Sequence, residues 1–208
     1  MRVMRIMRRF LIVTALVRLW GQGPPLDPAP TGIPPKASAQ DYDFHAEAGK
    51  LGIGVIYMGR SFAAVPRESE DKQRTVLFDG GSFLVLEIGL FSKGFKGEIL
   101  RSDFNLRVDG QKLPLAAAEP GLVRNALRSQ TAAPRPPMRD GFPTGEPAPI
   151  DKSQQPWEAG IESSLAEGKL QGIRAGNLFF AFPGKTNKMK SVVLEYSGNG
   201  DTVEIKIH

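Results

Sequence analysis

The chain of 208 residues contains no cysteine. Disulfides, thiolate zinc sites, a cysteine nucleophile and a lipidated N-terminal cysteine are excluded by that one absence. Histidine is nearly as scarce, His45 and His208 being the only two, so an imidazole-based triad has little to draw on. A membrane-length apolar run is missing too. Residues 10–17 form an apolar stretch that would span about 12 Å as a helix at ~1.5 Å per residue, against a hydrocarbon core of ~30 Å. The body also lacks an excess of either charge. Of 27 bases and 22 acids, six bases and one acid lie in residues 1–39, leaving 21 of each in residues 40–208. A nucleic-acid binder concentrates Lys and Arg on its folded body because phosphate contacts supply most of its affinity; nucleic acid is therefore not an expected partner.

What the first 39 residues do contain has the order of an export signal. Arg2, Arg5, Arg8 and Arg9 precede the apolar stretch, and Ala37-Ser38-Ala39 offers small residues where a signal peptidase reads. Cleavage there would leave Gln40 as the mature N-terminus in a periplasmic or extracellular protein, with no transmembrane span remaining. The twin-arginine pattern is not met, since Arg8-Arg9 runs directly into Phe10-Leu11 without the spacer residue. The alternative is an uncleaved basic leader with a Pro-rich spacer, or a misassigned start.

Residues 40–208 alternate apolar and polar side chains, the period of strands. Leu84, Leu86, Ile88 and Leu90 share one face of a long strand, with Glu87 and Gly89 opposite. Phe104, Leu106 and Val108 alternate with Asn105 and Arg107 before an Asp109-Gly110 turn and a return strand ending near Leu115. Val203, Ile205 and Ile207 form a terminal strand facing residues 191–196 across Asn199-Gly200. Residues 178–182 and 51–58 add two more, the latter with Gly52 and Gly54 signalling a bulge or a close backbone approach. With 23 Gly and 17 Pro and no amphipathic helix longer than two turns, the expected fold is all-β: an immunoglobulin-like antiparallel β-sandwich of about seven strands. It forms one domain, 40–208, interrupted by a Pro-rich loop insertion at 129–156 whose seven prolines bar it from central strands. Residues 157–170 hold at most a helical turn, weakened by Gly160 and Gly168.

The run Asp79-Gly80-Gly81-Ser82-Phe83-Leu84-Val85-Leu86-Glu87-Ile88, then Ser102-Asp103-Phe104-Asn105-Leu106, Asn177-Leu178-Phe179-Phe180-Ala181-Phe182-Pro183 and Val193-Leu194-Glu195-Tyr196, resembles a bacterial Ig-like family. Its members are secreted or lipoprotein domains of unknown function, akin in structure to the mycobacterial immunoprotective extracellular antigen. The resemblance covers residues 50–115 and 160–208. It departs at Ser92-Lys93-Gly94-Phe95-Lys96-Gly97, where the family has an Asn-rich turn, and in the length of the Pro-rich loop. It implies a non-enzymatic envelope or extracellular domain and brings no ligand.

Motifs that mimic catalytic sites have simpler readings. Gly184-Lys185-Thr186 lacks the leading glycine of a phosphate loop, which would fall at Phe179. Gly59-Arg60-Ser61-Phe62-Ala63 approximates a nucleophile elbow, but no histidine is placed to serve Ser61. Asp41, Asp43 and His45 alternate and would point the same way on an extended chain, a weak candidate metal set more readily read as a solvated acidic terminus. Glu87, Glu98 and Asp103 read as solvated acids. Phe179, Phe180, Phe182 and Tyr196 read as core or as an aromatic platform. Trp157, beside the Pro-rich loop, reads as core or as a contact residue at its rim. The expectation is a binding or scaffolding domain without catalytic residues or cofactor, meeting a protein or envelope component through Trp157, Arg135, Pro136, Pro137 and Phe142. A structural subunit pairing through residues 202–208 is the alternative, and a hydrolase the third.

Overall fold

The longest alternating run in the chain sits at the centre of the molecule. The computed structural model describes residues 33–65, 75–131, 138–139, 142–143 and 155–207. Its strands are β1 (Phe44–Ala48), β2 (Leu51–Gly59), β3 (Ser61–Ala64), β4 (Val76–Asp79) and β5 (Phe83–Ser92), then β6 (Glu98–Ile99), β7 (Phe104–Val108) and β8 (Leu115–Ala116). Helix α1 (Pro120–Thr131) follows, with β9 (Met138–Arg139), β10 (Phe142–Pro143) and helix α2 (Pro156–Glu162). The chain closes with β11 (Gly168–Lys169), β12 (Ile173–Ala181), β13 (Val192–Gly198) and β14 (Asp201–Lys206).

Two antiparallel four-stranded sheets form the sandwich, in the orders β1-β2-β5-β12 and β14-β13-β7-β8. The hairpins follow from their turns: Asp109 and Asn199 both adopt positive φ, a conformation Asp and Asn tolerate better than most side chains. The chain crosses between sheets after β5, returns after β8 and crosses again after β12, while β5 pairs with β12 and β7 with β13. In immunoglobulin lettering β2-β5-β12 stand as A-B-E and β14-β13-β7-β8 as G-F-C-C′. The fold is an all-β sandwich of immunoglobulin-like connectivity; within its two sheets β1 is the strand beyond those expected, and the β3–β4, β6–β11 and β9–β10 pairs are further strands outside them. In the place of strand D the chain inserts α1, the Pro-rich stretch and α2.

Leu84, Leu86, Ile88 and Leu90 face the second sheet and pack with Ile53, Leu178, Phe104, Leu106, Leu194 and Ile205 in the main core. The other face of β5 is buried as well, which the period-2 reading did not anticipate. Val85 and Phe83 join Phe62, Phe179, Val123 and Leu127 in a second core, roofed by the β3–β4 ribbon and the two helices. A strand covered on both faces hides its alternation. Glu87 is accordingly 7% exposed rather than solvated.

The helices also correct the sequence reading. Twelve residues long, α1 lays Val123 and Leu127 on the second core one turn apart. Gly160 is no helix breaker: α2 passes so close to α1 that a Cβ at Gly160 would lie 2.9 Å from Leu127 Cδ1. Glycine is there for the approach of two helices, and its propensity cost of about 1 kcal/mol is offset by packing. Residues 138–139 and 142–143 pair only with each other. No described helix is long and apolar enough to cross a membrane.

Candidate functional site

An open stretch of sheet edge marks the candidate site. Asn177 N–H donates to the Ser163 carbonyl (2.6 Å) and its carbonyl accepts from Leu165 N–H (2.9 Å), so its backbone points away from β5. Two residues on, the Phe179 carbonyl accepts from Ala118 N–H at 2.7 Å. The chain on either side of the helices thus sheathes the C-terminal half of the β12 edge. Strand alternation turns the N–H and C=O of Ile173 and Ala175 the same way. Among the described residues no backbone group pairs with them.

Arg174, on the opposite face by alternation, keeps that edge uncovered. Its guanidinium donates to the carbonyls of Ala166 (2.9 Å), Gly168 (3.2 Å) and Lys169 (2.6 Å), drawing the chain after Leu165 off the strand. Burial lowers its pKa, but a guanidinium stays charged. Beside it Arg101 donates to the Leu165 carbonyl (3.2 Å) and to the carboxylates of Glu167 (2.5 Å) and Glu119 (3.4 Å), while its Nε has no partner. Arg101, Arg174, Leu165 and Ala166, with Ile161, Ile173 and Ala175, border a cleft of about 600 Å³. Ile173 is 47% exposed there, one of few large apolar side chains in water.

Ile33, Pro34 and Pro35 form another part of its wall. They belong to a strap, described over residues 33–42, that lies over the outer face of the first sheet. At its far end Ala39 and Tyr42 pack with Phe91, the Tyr42 and Phe91 rings meeting edge to face at 5.9 Å. Gly54 and Gly89 are cross-strand partners, and a Cβ on either would collide with the Tyr42 ring. Here is the close approach that the glycines of β2 signalled.

No family model, curated protein or solved structure matches this chain. The site therefore stands on its own chemistry.

The residues singled out in the sequence fall elsewhere. Arg135, Pro136 and Pro137 lie outside the described residues, and Phe142 opens β10. Trp157 is half-buried on α2 against the second core. The Arg124 and Arg128 guanidinium carbons stand 5.1 and 5.8 Å from its ring centroid, and its Nε1 donates to the Gln155 side chain. Asp41 is not extended alongside Asp43 and His45. It closes a 3-10 turn, its Oδ2 accepting from Ser38 N–H (2.8 Å) and Oγ (2.9 Å), and no three-ligand cluster exists among the described residues. Ser61 opens β3 opposite Asp79, and Thr186 starts a 3-10 turn between β12 and β13. Phe179, Phe180 and Tyr196 are core, with Phe182 packed against it. Asp103 accepts from Leu100 N–H at 2.9 Å, and burial raises its pKa.

Sequence reasoning missed Ile33, Arg101, Ile173 and Arg174. Only Asn177, a lone amide at the head of an apolar run, hinted that something polar is anchored at this edge.

Proposed function

We propose that the chain is an exported, non-catalytic immunoglobulin-like domain that binds another protein or a cell-envelope component at the open edge of β12. One observation carries this reading: an exposed aliphatic side chain and unpaired strand-edge amides share a cleft whose two arginines are already engaged by carbonyls and carboxylates. The recognition groups left over are those an extended chain uses when it adds to a sheet edge. Export is supported by the charge, apolar stretch and small-residue order of the leader.

A photo-reactive p-benzoylphenylalanine at Ile173, in the full chain expressed in its native cell, tests the binding site. A discrete adduct is expected there and not at Leu113, which is 82% exposed and does not line the cleft. Equal labelling at both positions, or none, overturns the assignment. N-terminal sequencing of the native protein tests export, with Gln40 expected and an intact Met1 in the cytoplasm overturning it. A second reading, a subunit of a surface assembly, is favoured by the position of β14 at the outer end of its sheet. Light scattering over a concentration series separates the two, since persistent monomers argue against assembly.

A further inference from the structure

The strap is fastened to itself rather than to the sheet. Lys36 N–H donates to Tyr42 Oη at 3.4 Å, and Lys36 Nζ donates to the Asp41 carbonyl at 2.8 Å and stands 5.1 Å from the Tyr42 ring centroid. Ser38 bonds to Asp41 as described. Among the described residues, no hydrogen bond joins residues 33–39 to a strand or helix. What holds them is burial, Ile33 and Ala39 each being 6% exposed, together with the attraction of Lys36 for Glu87 on β5. Neither of the two main cores contains a residue before Phe44; of residues 33–39 only Ala39 joins a buried cluster, the small one with Tyr42 and Phe91. A segment held by side-chain burial and one charge attraction, with no backbone pairing to the sheet, is exchangeable for another of the same shape.

The cleavage expected after Ala39 would remove these seven residues. It would uncover the ground between the Gly54–Gly89 slot and the bare amides of Ile173 and Ala175.

We propose that this groove is a peptide-binding site whose partner is an extended segment carrying a branched aliphatic residue followed by two prolines, the chemistry that Ile33-Pro34-Pro35 presents to it in the unprocessed chain. The proposal rests on the binding-module reading above and names its ligand class. Each element of the class has a reason. The aliphatic side chain takes the buried place of Ile33. Prolines carry no N–H, so they lie across the sheet without leaving a donor unmet. Their extended helix is preformed and costs little ordering entropy on docking. The same cleft holds the open edge of β12, where Ile173 and Ala175 each offer a donor and an acceptor to such a segment.

The test uses a fluorescent peptide of residues 30–39 and full chains with and without Ile33→Asp, a change that disfavours the seated strap. Anisotropy titration should show saturable binding to the Ile33→Asp chain at least tenfold tighter than to the unaltered chain. The same peptide carrying Ile33→Asp should not bind. A chain starting at Gln40 is the second receiver and should bind like the Ile33→Asp chain. Equal affinity for all three chains, or no binding to either opened chain while its far-UV dichroism matches that of the unaltered one, overturns the proposal. An adduct at Ile173 with no peptide binding would sink the ligand class and leave the binding-module reading standing.

Discussion

Asn177 Nδ2 donates to the Ala63 carbonyl at 2.9 Å, joining two strands 114 residues apart in the chain. The same amide donates to Ser163 Oγ at 3.0 Å, so one buried side chain ties β12, the β3–β4 ribbon and the turn after α2 together. All three groups are out of reach of water.

Asn177→Ala should therefore cost about 1–3 kcal/mol, the penalty for leaving buried acceptors unsatisfied. Urea denaturation is the measurement, with a lowered midpoint and an unchanged slope. A cost within about 0.5 kcal/mol, typical of surface changes, would mean that the ribbon is held by its apolar contacts alone.

Gly176→Ala probes the sheath beside the cleft. A Cβ at Gly176 would lie 2.5 Å from Leu165 Cα and 2.7 Å from its nitrogen, backbone atoms that cannot swing aside. Overpacking of this sort costs about 1–3 kcal/mol. The expected signature is faster amide exchange at Leu165 and Asn177, whose bonds would lengthen, with β13 and β14 unaffected. Uniform loss of protection across both sheets would show that the sheath is not a separable unit.

Glu87 supplies a pH dependence. It faces Ile56 and Asn177 across the sheet, and burial raises its pKa, with Asp43 adding to the rise and Lys36 opposing it. The folded chain thus holds this proton more tightly than the unfolded one. Its contribution to stability is complete below the unfolded carboxyl pKa, falls as pH rises toward the folded value, and stays reduced above it. Glu87→Gln should raise the melting temperature at pH 7 and leave it unchanged at pH 3. A melting temperature lowered at pH 7 would mean that the carboxylate has a compensating partner.

Much of the architecture was legible because strands announce themselves. Phe104, Leu106 and Val108 alternate over a half-solvated sheet, and the Asp-Gly and Asn-Gly turns set their hairpins. The helices were hidden for two separate reasons. The apolar residues of α1 number only a few between a Pro-Gly start and a Pro-rich stretch, and in α2 a glycine chosen for helix-to-helix approach imitated a break. Glu87 was misjudged because β5 is roofed by segments far from it in sequence, and no local pattern records such a roof. The cleft is harder still. Whether the Ile173 and Ala175 amides are paired depends on where Arg174 sends the chain after Leu165, a relationship between residues that gives no periodic signal.

If the leader is removed after Ala39, as proposed, the 3-10 turn at Ala39–Asp41 sets that cleavage against folding. A peptidase cutting between Ala39 and Gln40 needs that bond drawn out straight, yet the closed domain curls it and tucks the alanine side chain beneath Phe91 and Tyr42. Under that proposal a chain cut before it folds would lack the strap, while one that folds first would shield the Ala39–Gln40 bond, and the two forms would not readily interconvert.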